Sequence, residues 1–319
     1  MKVLVTGAGG MMGSHLTEML RDMSHDVLPT YYKPTIPIGD LRHLDPVEMD
    51  ITDWCSVHDV VASFVPDAIF HLAAQSYPTT SWARPTETLT TNVIGTSNVF
   101  EVARRLCPDA RLVVAGSSAE YGVVEEDQIP VKESHTLQPL HPYGVSKVAT
   151  DLLAHQYFSS YGTAAVTARI FNCTGPRKTG DAVSDFVRRC VLLEQQGGEP
   201  TLRVGNLESQ RTFVDVRDLN RALILLMEQG EAGAAYNVGG DTIYRMGDIV
   251  DRVIAECTVG GVTPVVDPAL LRPTDEKIIY GDCSRLKSET GWEQELTLEE
   301  TVADMFNYWR NKPTDASIA

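Results

Sequence analysis

The stretch Val3-Leu4-Val5-Thr6-Gly7-Ala8-Gly9-Gly10-Met11-Met12-Gly13 decides the fold. Its short β-branched run reads as a buried strand and its glycines as a tight turn. Leu16, Met19, Leu20 and Met23, apolar at helical spacing, predict a helix over residues 14–23. At such a strand-to-helix turn the first helical amides and the positive end of the helix dipole face outward. A pyrophosphate can settle there if no side chain bars its approach. Gly7 suits the tight turn, Gly10 the close approach of backbone to phosphate, and Gly13 the packing of helix on strand, with Met11 and Met12 between them. A glycine-rich loop alone is weak evidence. The strand before this one and the amphipathic helix after it make it a dinucleotide-binding turn.

Working outward, 319 residues suffice to bury about three quarters of the unfolded surface, enough for one large α/β domain or a domain with an appended lobe. With 43% hydrophobic and 22% charged residues, neither disorder nor a fibre is indicated. Apolar runs such as Ala222 to Met227 are too short to cross a bilayer, and Met1-Lys2 leads directly into a core strand without a secretory pattern. The expectation is a cytoplasmic protein that engages no membrane. Six scattered cysteines, unpaired in spacing, argue against a zinc site or a disulfide framework, so no metal is expected. A net charge of -16 repels nucleic acid, and any phosphate-bearing ligand then needs a local basic cluster.

Asp26 to Tyr31 predicts a second strand. An acidic residue at its end would bond an adenosine ribose, but the chain runs Thr30-Tyr31-Tyr32-Lys33. Lys33, with Arg42 more distant, suits a 2′-phosphate, which favours NADP(H), with NAD(H) as the alternative. Val47 to Ile51 predicts a third strand that brings Asp50 and Ile51 to the adenine, and Asp53 an N-cap for a helix through Phe64. Asp67 to Ala74 reads as a fourth strand, whose end at Leu72, Ala73 and Ala74 lets backbone lie against the cofactor. His71 within it reads as a core residue rather than a catalyst. A helix from Asn92 to Leu106 and a strand from Arg111 to Ala115 continue the alternation. The class is therefore α/β, a doubly wound parallel sheet that takes ligands beyond the carboxyl ends of its strands.

At that edge lie Gly116-Ser117-Ser118-Ala119-Glu120-Tyr121-Gly122 and Tyr143-Gly144-Val145-Ser146-Lys147. Tyrosine and lysine four apart share one helix face. A phenol near pH 10 shuttles protons poorly at neutral pH unless a nearby cation favours its phenolate, which Lys147 could supply. Ser117 or Ser118 would orient a carbonyl toward Tyr143, an acid-base arrangement for hydride transfer at carbon.

Gly7-x-x-Gly10-x-x-Gly13, Asp50, His71 to Ala74, Asn92, Ser117 and Tyr143-x-x-x-Lys147 together resemble the extended short-chain dehydrogenase/reductase family over nearly the whole chain. The resemblance implies a Rossmann-type fold, Tyr143 as general acid-base, Lys147 as the group that lowers its pKa and bonds the nicotinamide ribose, and Ser117 at the substrate carbonyl. Later segments resemble the branch of GDP-mannose 4,6-dehydratases and GDP-4-keto-6-deoxymannose reductases. Ala168 to Arg177 is similar to the strand leading into a sugar-nucleotide lobe, Val204 to Val216 to a segment with a phosphate-gripping arginine, and Leu271 to Asp275 to a C-terminal arginine-proline motif. Asn172, Arg177, Arg211 and Arg272, with Ser118, are thereby implied at a GDP-linked sugar, where guanidinium groups would hold phosphate bidentately.

One departure matters. The dehydratases carry a proton-accepting glutamate where this chain has Ala119, and Glu120 one residue later points to the other face. Reduction of GDP-4-dehydro-6-deoxy-D-mannose to GDP-D-rhamnose is thus favoured over the alternatives, a dehydratase or a 4-epimerase with retained cofactor; a dinucleotide-sensing protein is the non-enzyme alternative. Residues 1–171 are expected as the NADP(H)-binding domain and 172–311 as a nucleotide-sugar lobe, with about 211–240 returning to the first. Residues 312–319 read as a tail. The resemblance further implies a homodimer through a four-helix bundle of the Asn92 and Tyr143 helices.

Overall fold

The structure is a computed structural model and describes residues 1–271 and 278–312. Six strands follow in chain order: β1 (Lys2–Thr6), β2 (Asp26–Tyr31), β3 (Val47–Glu48), β4 (Ala68–His71), β5 (Arg111–Ala115) and β6 (Ala165–Ile170). With Ala235–Val238 they make one seven-stranded sheet in the order β3, β2, β1, β4, β5, β6 and Ala235–Val238. Every neighbouring pair is parallel. The order reverses between β1 and β4, and the crevice at the carboxyl ends of these strands is where doubly wound sheets take ligands. This is a Rossmann-type fold.

The helices of this layer are α1 (Met11–Asp22), α2 (Trp54–Phe64), α3 (Pro78–Ala83), α4 (Pro85–Leu89), α5 (Gly95–Leu106) and α6 (Pro142–Tyr161). Asp53 caps α2 as its sequence predicts, its carboxylate accepting from the Cys55 amide at 3.0 Å. Four boundaries differ from expectation, the first being β4, read through Ala74 but ending at His71. α1 begins at Met11 rather than Ser14, because the chain turns helical directly after an extended Gly10. The third strand is confined to two exposed edge residues, since the chain leaves the sheet before Met49 and Ile51 turn inward to the core. The helix predicted from Asn92 enters through a π turn at Thr90–Ile94 before α5 begins.

One face of the sheet presents Leu4, Ile69, Leu112 and Val114 to Val57 and Val61 of α2, Val99 and Phe100 of α5, and Tyr157 of α6. Phe100 stacks on Tyr157 with ring centroids 4.9 Å apart. Each such side chain, fully buried, contributes about 1.5–3 kcal/mol, so this layer holds the strand ends, and the turns that follow them, in fixed places.

The chain divides into two compact units: residues 1–170, 219–238 and 281–293, and residues 171–218, 239–280 and 294 onward. Two segments differ from the expected partition. Residues 211–218 stay with the second unit, and 281–293 join the first, because the Asn237 side chain donates to the carbonyls of Val131 and Asp282. In the second unit, helices Ala182–Gln196, Met246–Glu256 and Leu298–Arg310 bury Val187, Cys190, Ile249, Val253, Val302 and Phe306 around Leu202. Thr297 and Glu300 form the predicted capping box at the start of the last helix.

Candidate active site

The turn after β1 is closed on one side and open on the other. Gly7 takes φ +76°, and a Cβ there would lie 2.7 Å from the Ala73 amide nitrogen; at Gly13 it would lie 2.5 Å from the Gly7 carbonyl oxygen and 2.8 Å from Ala8 Cα. Both glycines are therefore demanded by packing. At Gly10 a Cβ would meet the Gly7 oxygen at 3.5 Å and Thr35 Oγ1 at 3.9 Å, ordinary van der Waals contact, so nothing in the chain itself bars a side chain there. Gly10 is the N-cap of α1, has no side-chain cap, and no acidic residue occupies the first turn. A helix of 12 residues thus presents uncapped amides and the positive end of its dipole beside a cradle that a Cβ would fill, which fits the pyrophosphate of a dinucleotide.

Thr6, which the sequence reading passed over, ties β1 to β4. Its hydroxyl oxygen accepts from the Leu72 and Ala73 amides, each at 3.1 Å, and meets His71 Nδ1 at 2.9 Å. His71 Nε2 meets Thr96 Oγ1, also at 2.9 Å. Burial, then the charge of Lys147, push the imidazole down to about 3, so His71 is a neutral core residue, as its apolar strand implies. Asn92 is enclosed. Its Oδ1 accepts from the Gln75 amide at 2.7 Å, and its Nδ2 donates to the Gln75 carbonyl and to Ser146 Oγ at 3.0 and 2.9 Å. It clamps the π turn to α6. Asp50 accepts from the amide and hydroxyl of Thr52, and the buried Ile51 side chain fills the space that a Cβ on Gly95 would need. Ala74 follows the β4 end, half-buried. Lys33 is exposed at φ +48°, its Nζ 5.1 Å from the centroid of the Tyr32 ring.

After β5 the chain makes a single 3-10 turn. Ser117 Oγ accepts from the Ala119 amide at 3.2 Å, while Glu120 Oε1 reaches back to the Ser117 amide at 2.7 Å, a reciprocal cap that pins the serine. Ser118 opens this turn, half-buried. Pro142 starts α6, which sets Tyr143 in its first turn and Lys147 one turn on. Tyr143 and Ser117 are joined by a side-chain hydrogen bond. The Lys147 ammonium donates to the Ala115 carbonyl at 2.6 Å and lies 5.9 Å from the Tyr143 ring centroid. The three residues named from the sequence are thus brought together at the end of β5.

Burial pushes the Tyr143 hydroxyl up to about 12, and the force drawing it back is the Ser117 hydrogen bond. Lys147, itself pushed down to about 8 by burial, directs its ammonium at Ala115. Glu120 is completely buried, its Oε2 3.4 Å from Arg169 Nε. Arg169 donates twice to Asp151 Oδ2, at 2.9 and 2.6 Å, and to Tyr121 Oη at 3.1 Å. This buried network was invisible in the sequence, because Arg169 lies 18 to 49 residues from its partners.

In the second unit Asn172 is half-buried, and its Nδ2 donates to the Thr212 carbonyl at 3.2 Å. Arg211 is buried in strand Gln210–Thr212, with Nη1 on the Gln210 carbonyl at 2.8 Å. Arg177 is half-buried at φ +72°. Arg272 lies outside the described residues. Among the described residues no cluster of His, Cys, Asp and Glu could hold a metal ion, and no helix is long and apolar enough to cross a membrane.

Residues 4–305 match the family model described as GDP-mannose 4,6 dehydratase. The chain is 28% identical over 312 residues to the GDP-6-deoxy-D-mannose reductase of Pseudomonas aeruginosa, covering 98% of each. It is also 28% identical to the GDP-mannose 4,6-dehydratase of Yersinia enterocolitica, covering 95% of this chain and 92% of that one. The solved structure of RMD from Pseudomonas aeruginosa complexed with NADPH matches at TM-score 0.86 and 27% identity, over 97% of this chain and 98% of that one. UDP-glucose 4-epimerase from Thermotoga maritima with UDP-glucose matches at TM-score 0.88 and 25% identity, over 97% and 99%. The chain belongs to the GDP-mannose 4,6 dehydratase family, within the NAD(P)-dependent oxidoreductases of the extended short-chain dehydrogenase/reductase type.

Proposed function

We propose that the chain reduces the 4-keto group of a GDP-4-keto-6-deoxyhexose, taking GDP-4-dehydro-6-deoxy-D-mannose to GDP-D-rhamnose. The observation that carries this reading is the state of Ala119, Glu120 and Glu133, the positions in the sequence from which a base for elimination would come. Ala119 has no ionisable group, Glu120 is turned inward onto the Ser117 amide and Arg169, and Glu133 Oε1 accepts from the Asn237 amide at 2.8 Å. Elimination of water next to a ketone needs a side chain that takes a carbon-bound proton; reduction needs only a donor for the new alkoxide. Ser117, Tyr143 and Lys147 supply that donor and its orientation. The similarity to a GDP-6-deoxy-D-mannose reductase points the same way.

In this reading the amides of Met11, Met12 and Gly13 and the approach over Gly7 and Gly10 hold the pyrophosphate of NADP(H). Asp50 and Ile51 lie at the adenine, Leu72, Ala73, Ala74 and Asn92 flank the cofactor, and Lys33 meets the 2′-phosphate. The bound cofactor supplies the hydride. Ser117 Oγ donates to the keto oxygen and holds it beside Tyr143. The Tyr143 hydroxyl gives its proton to that oxygen as it becomes an alkoxide, a transfer helped by the high proton affinity of an alkoxide. Lys147 bonds the ribose and keeps positive charge next to the resulting phenolate. Asn172, Arg177, Arg211 and Arg272, with Ser118, take the nucleotide diphosphate and sugar.

Exposed Ile94, Val145, Leu152 and Phe158 before α5 and along α6 support a homodimer through a four-helix bundle, which sedimentation equilibrium would test. A cytoplasmic location belongs to this reading, and fractionation of expressing cells would test it. The reaction is tested by incubating the chain with GDP-4-keto-6-deoxymannose and NADPH and reading the product by NMR. A new carbon-4 proton in the rhamnose configuration supports the reading. A talose product would correct the stereochemistry, and conversion of GDP-mannose alone to its keto form would replace the reductase by a dehydratase.

A further inference from the structure

Side-chain hydrogen bonds run without a break from the end of β4 to the turn that carries Tyr143, and their direction is fixed at both ends. Thr6 Oγ1 accepts from the Leu72 and Ala73 amides, which fills its two lone pairs, so its own hydrogen must be given away. Among the described residues the acceptor it meets is His71 Nδ1, at 2.9 Å. At the other end Thr96 Oγ1 lies 2.5 Å from the Asn92 carbonyl oxygen, a separation that two oxygens keep only with a hydrogen between them, so the Thr96 hydroxyl donates there. Its oxygen is left to accept from His71 Nε2 at 2.9 Å. Both ends therefore demand the same imidazole: neutral, with its lone pair on Nδ1 and its hydrogen on Nε2. The other tautomer would strand the Thr6 hydrogen and take the hydrogen out of the Thr96–Asn92 contact.

Asn92 carries the chain into α6. Its carbonyl also accepts from Thr150 Oγ1 at 3.3 Å, and its Nδ2 donates to Ser146 Oγ at 2.9 Å, whose hydroxyl donates in turn to the Tyr143 carbonyl at 2.6 Å. Thr6, His71, Thr96, Asn92 and Ser146 are each 3% exposed or less, so water does not compete for these bonds. We propose that these five residues act as one directional hydrogen-bond chain that fixes the Tyr143 turn to the end of β4, with His71 held as the Nε2–H tautomer. His71, Thr96 and Ser146 are then positioning residues for Tyr143. The inference rests on the reading of Tyr143 as proton donor, and it deepens that reading: the strand end that flanks the cofactor and the hydroxyl that protonates the alkoxide are held in one register. A proton donor displaced by a fraction of an ångström from its reacting oxygen loses much of its effect, which gives such a chain its use.

Two NMR readings test it, and neither needs cofactor or substrate. In protein with isotope-labelled histidine, the His71 nitrogen signals, assigned by their loss in His71→Gln, should show a hydrogen on Nε2 and none on Nδ1 at pH 7. A hydrogen on Nδ1, or on both nitrogens, overturns the direction of the chain. In protein with isotope-labelled tyrosine, the Tyr143 Cζ signal, assigned by its loss in Tyr143→Phe, reports on the hydrogen bond between Tyr143 and Ser117. Thr96→Val keeps the shape and deletes the hydroxyl, so it should move that signal by more than a linewidth. Thr96→Ser restores the hydroxyl and should return the signal to its wild-type position. If Thr96→Val does not fold, as judged by its thermal melt, Ser146→Ala cuts the chain one bond from Tyr143 and should move the signal likewise. An unmoved Tyr143 signal in folded Thr96→Val or Ser146→Ala overturns the positioning role. Because keto reduction is not read in either measurement, a failure here is distinct from a failure of the proposed reaction.

Discussion

The turns that follow β1 and β5 leave neighbouring parts of one sheet edge and are built in opposite ways. After β1 the backbone is glycine, the helix start has no side-chain cap, and a Cβ on Gly10 would meet only ordinary van der Waals contacts. After β5 the turn caps itself at both ends, with Ser117 Oγ on the Ala119 amide and the Glu120 carboxyl on the Ser117 amide. The first turn leaves donors unsatisfied for a ligand to satisfy; the second satisfies its own donors so that one hydroxyl stays still. An anion-binding turn and a catalytic turn thus differ in where their hydrogen bonds go.

The largest effect that would test this contrast lies on the β5 side. Tyr143→Phe removes the proton donor and no backbone contact, so kcat for keto reduction should fall about 10²- to 10⁴-fold with NADPH affinity little changed. A drop in affinity equal to the drop in kcat would mean the ring, not the hydroxyl, matters. On the β1 side the two kinds of glycine should behave differently. Gly13→Ala drives a Cβ against the Gly7 carbonyl and Ala8 backbone and should cost about 2–4 kcal/mol in urea unfolding. Gly10→Ala should fold like the wild type and bind NADPH about tenfold more weakly by fluorescence titration, a difference of about 1.4 kcal/mol. Equal stabilities for the two alanine variants would break the distinction between packing and approach.

His71 stands behind both turns, bonded to Thr6 at the end of β1 and held neutral partly by the charge of Lys147. Its folded pKa, about 3, lies below its unfolded value near 6.5. Above that value neither state is protonated and the residue adds no pH dependence. As pH falls below it the unfolded chain takes up a proton that the folded chain refuses, so stability should drop by about 1.4 kcal/mol per pH unit toward pH 3. Urea unfolding of wild type and His71→Gln at pH 7 and pH 5 measures this share; parallel losses in the two proteins would contradict it. The smallest effect belongs to Lys33, exposed beside Tyr32. Lys33→Ala should reduce the preference for NADPH over NADH by a few-fold at most, read as a ratio of kcat/KM values.

What was legible in the sequence was local. The strand, glycine turn and helix at the N-terminus, the Asp53 cap and the Thr297–Glu300 box each depend on residues within a turn of one another. Tyr143 and Lys147 share a helix face by spacing alone. The reading missed what depends on distant parts of the chain. Thr6 becomes the link between β1 and β4 only once residue 71 lies opposite it, and Glu120 becomes a buried anchor only once Arg169 arrives on β6. Spacing likewise places Lys147 on the right helix face but says nothing of the Ala115 carbonyl that takes its ammonium.

The claim at the centre is that the site reduces a ketone, Glu120 and Glu133 both being engaged elsewhere. Its most direct test is stoichiometric: NADPH absorbance followed while a known amount of GDP-4-keto-6-deoxymannose is added, beside a parallel incubation with GDP-mannose alone. The account predicts one NADPH oxidised per keto sugar and no change in GDP-mannose. Unchanged NADPH with GDP-mannose converted to its 4-keto-6-deoxy form would contradict it.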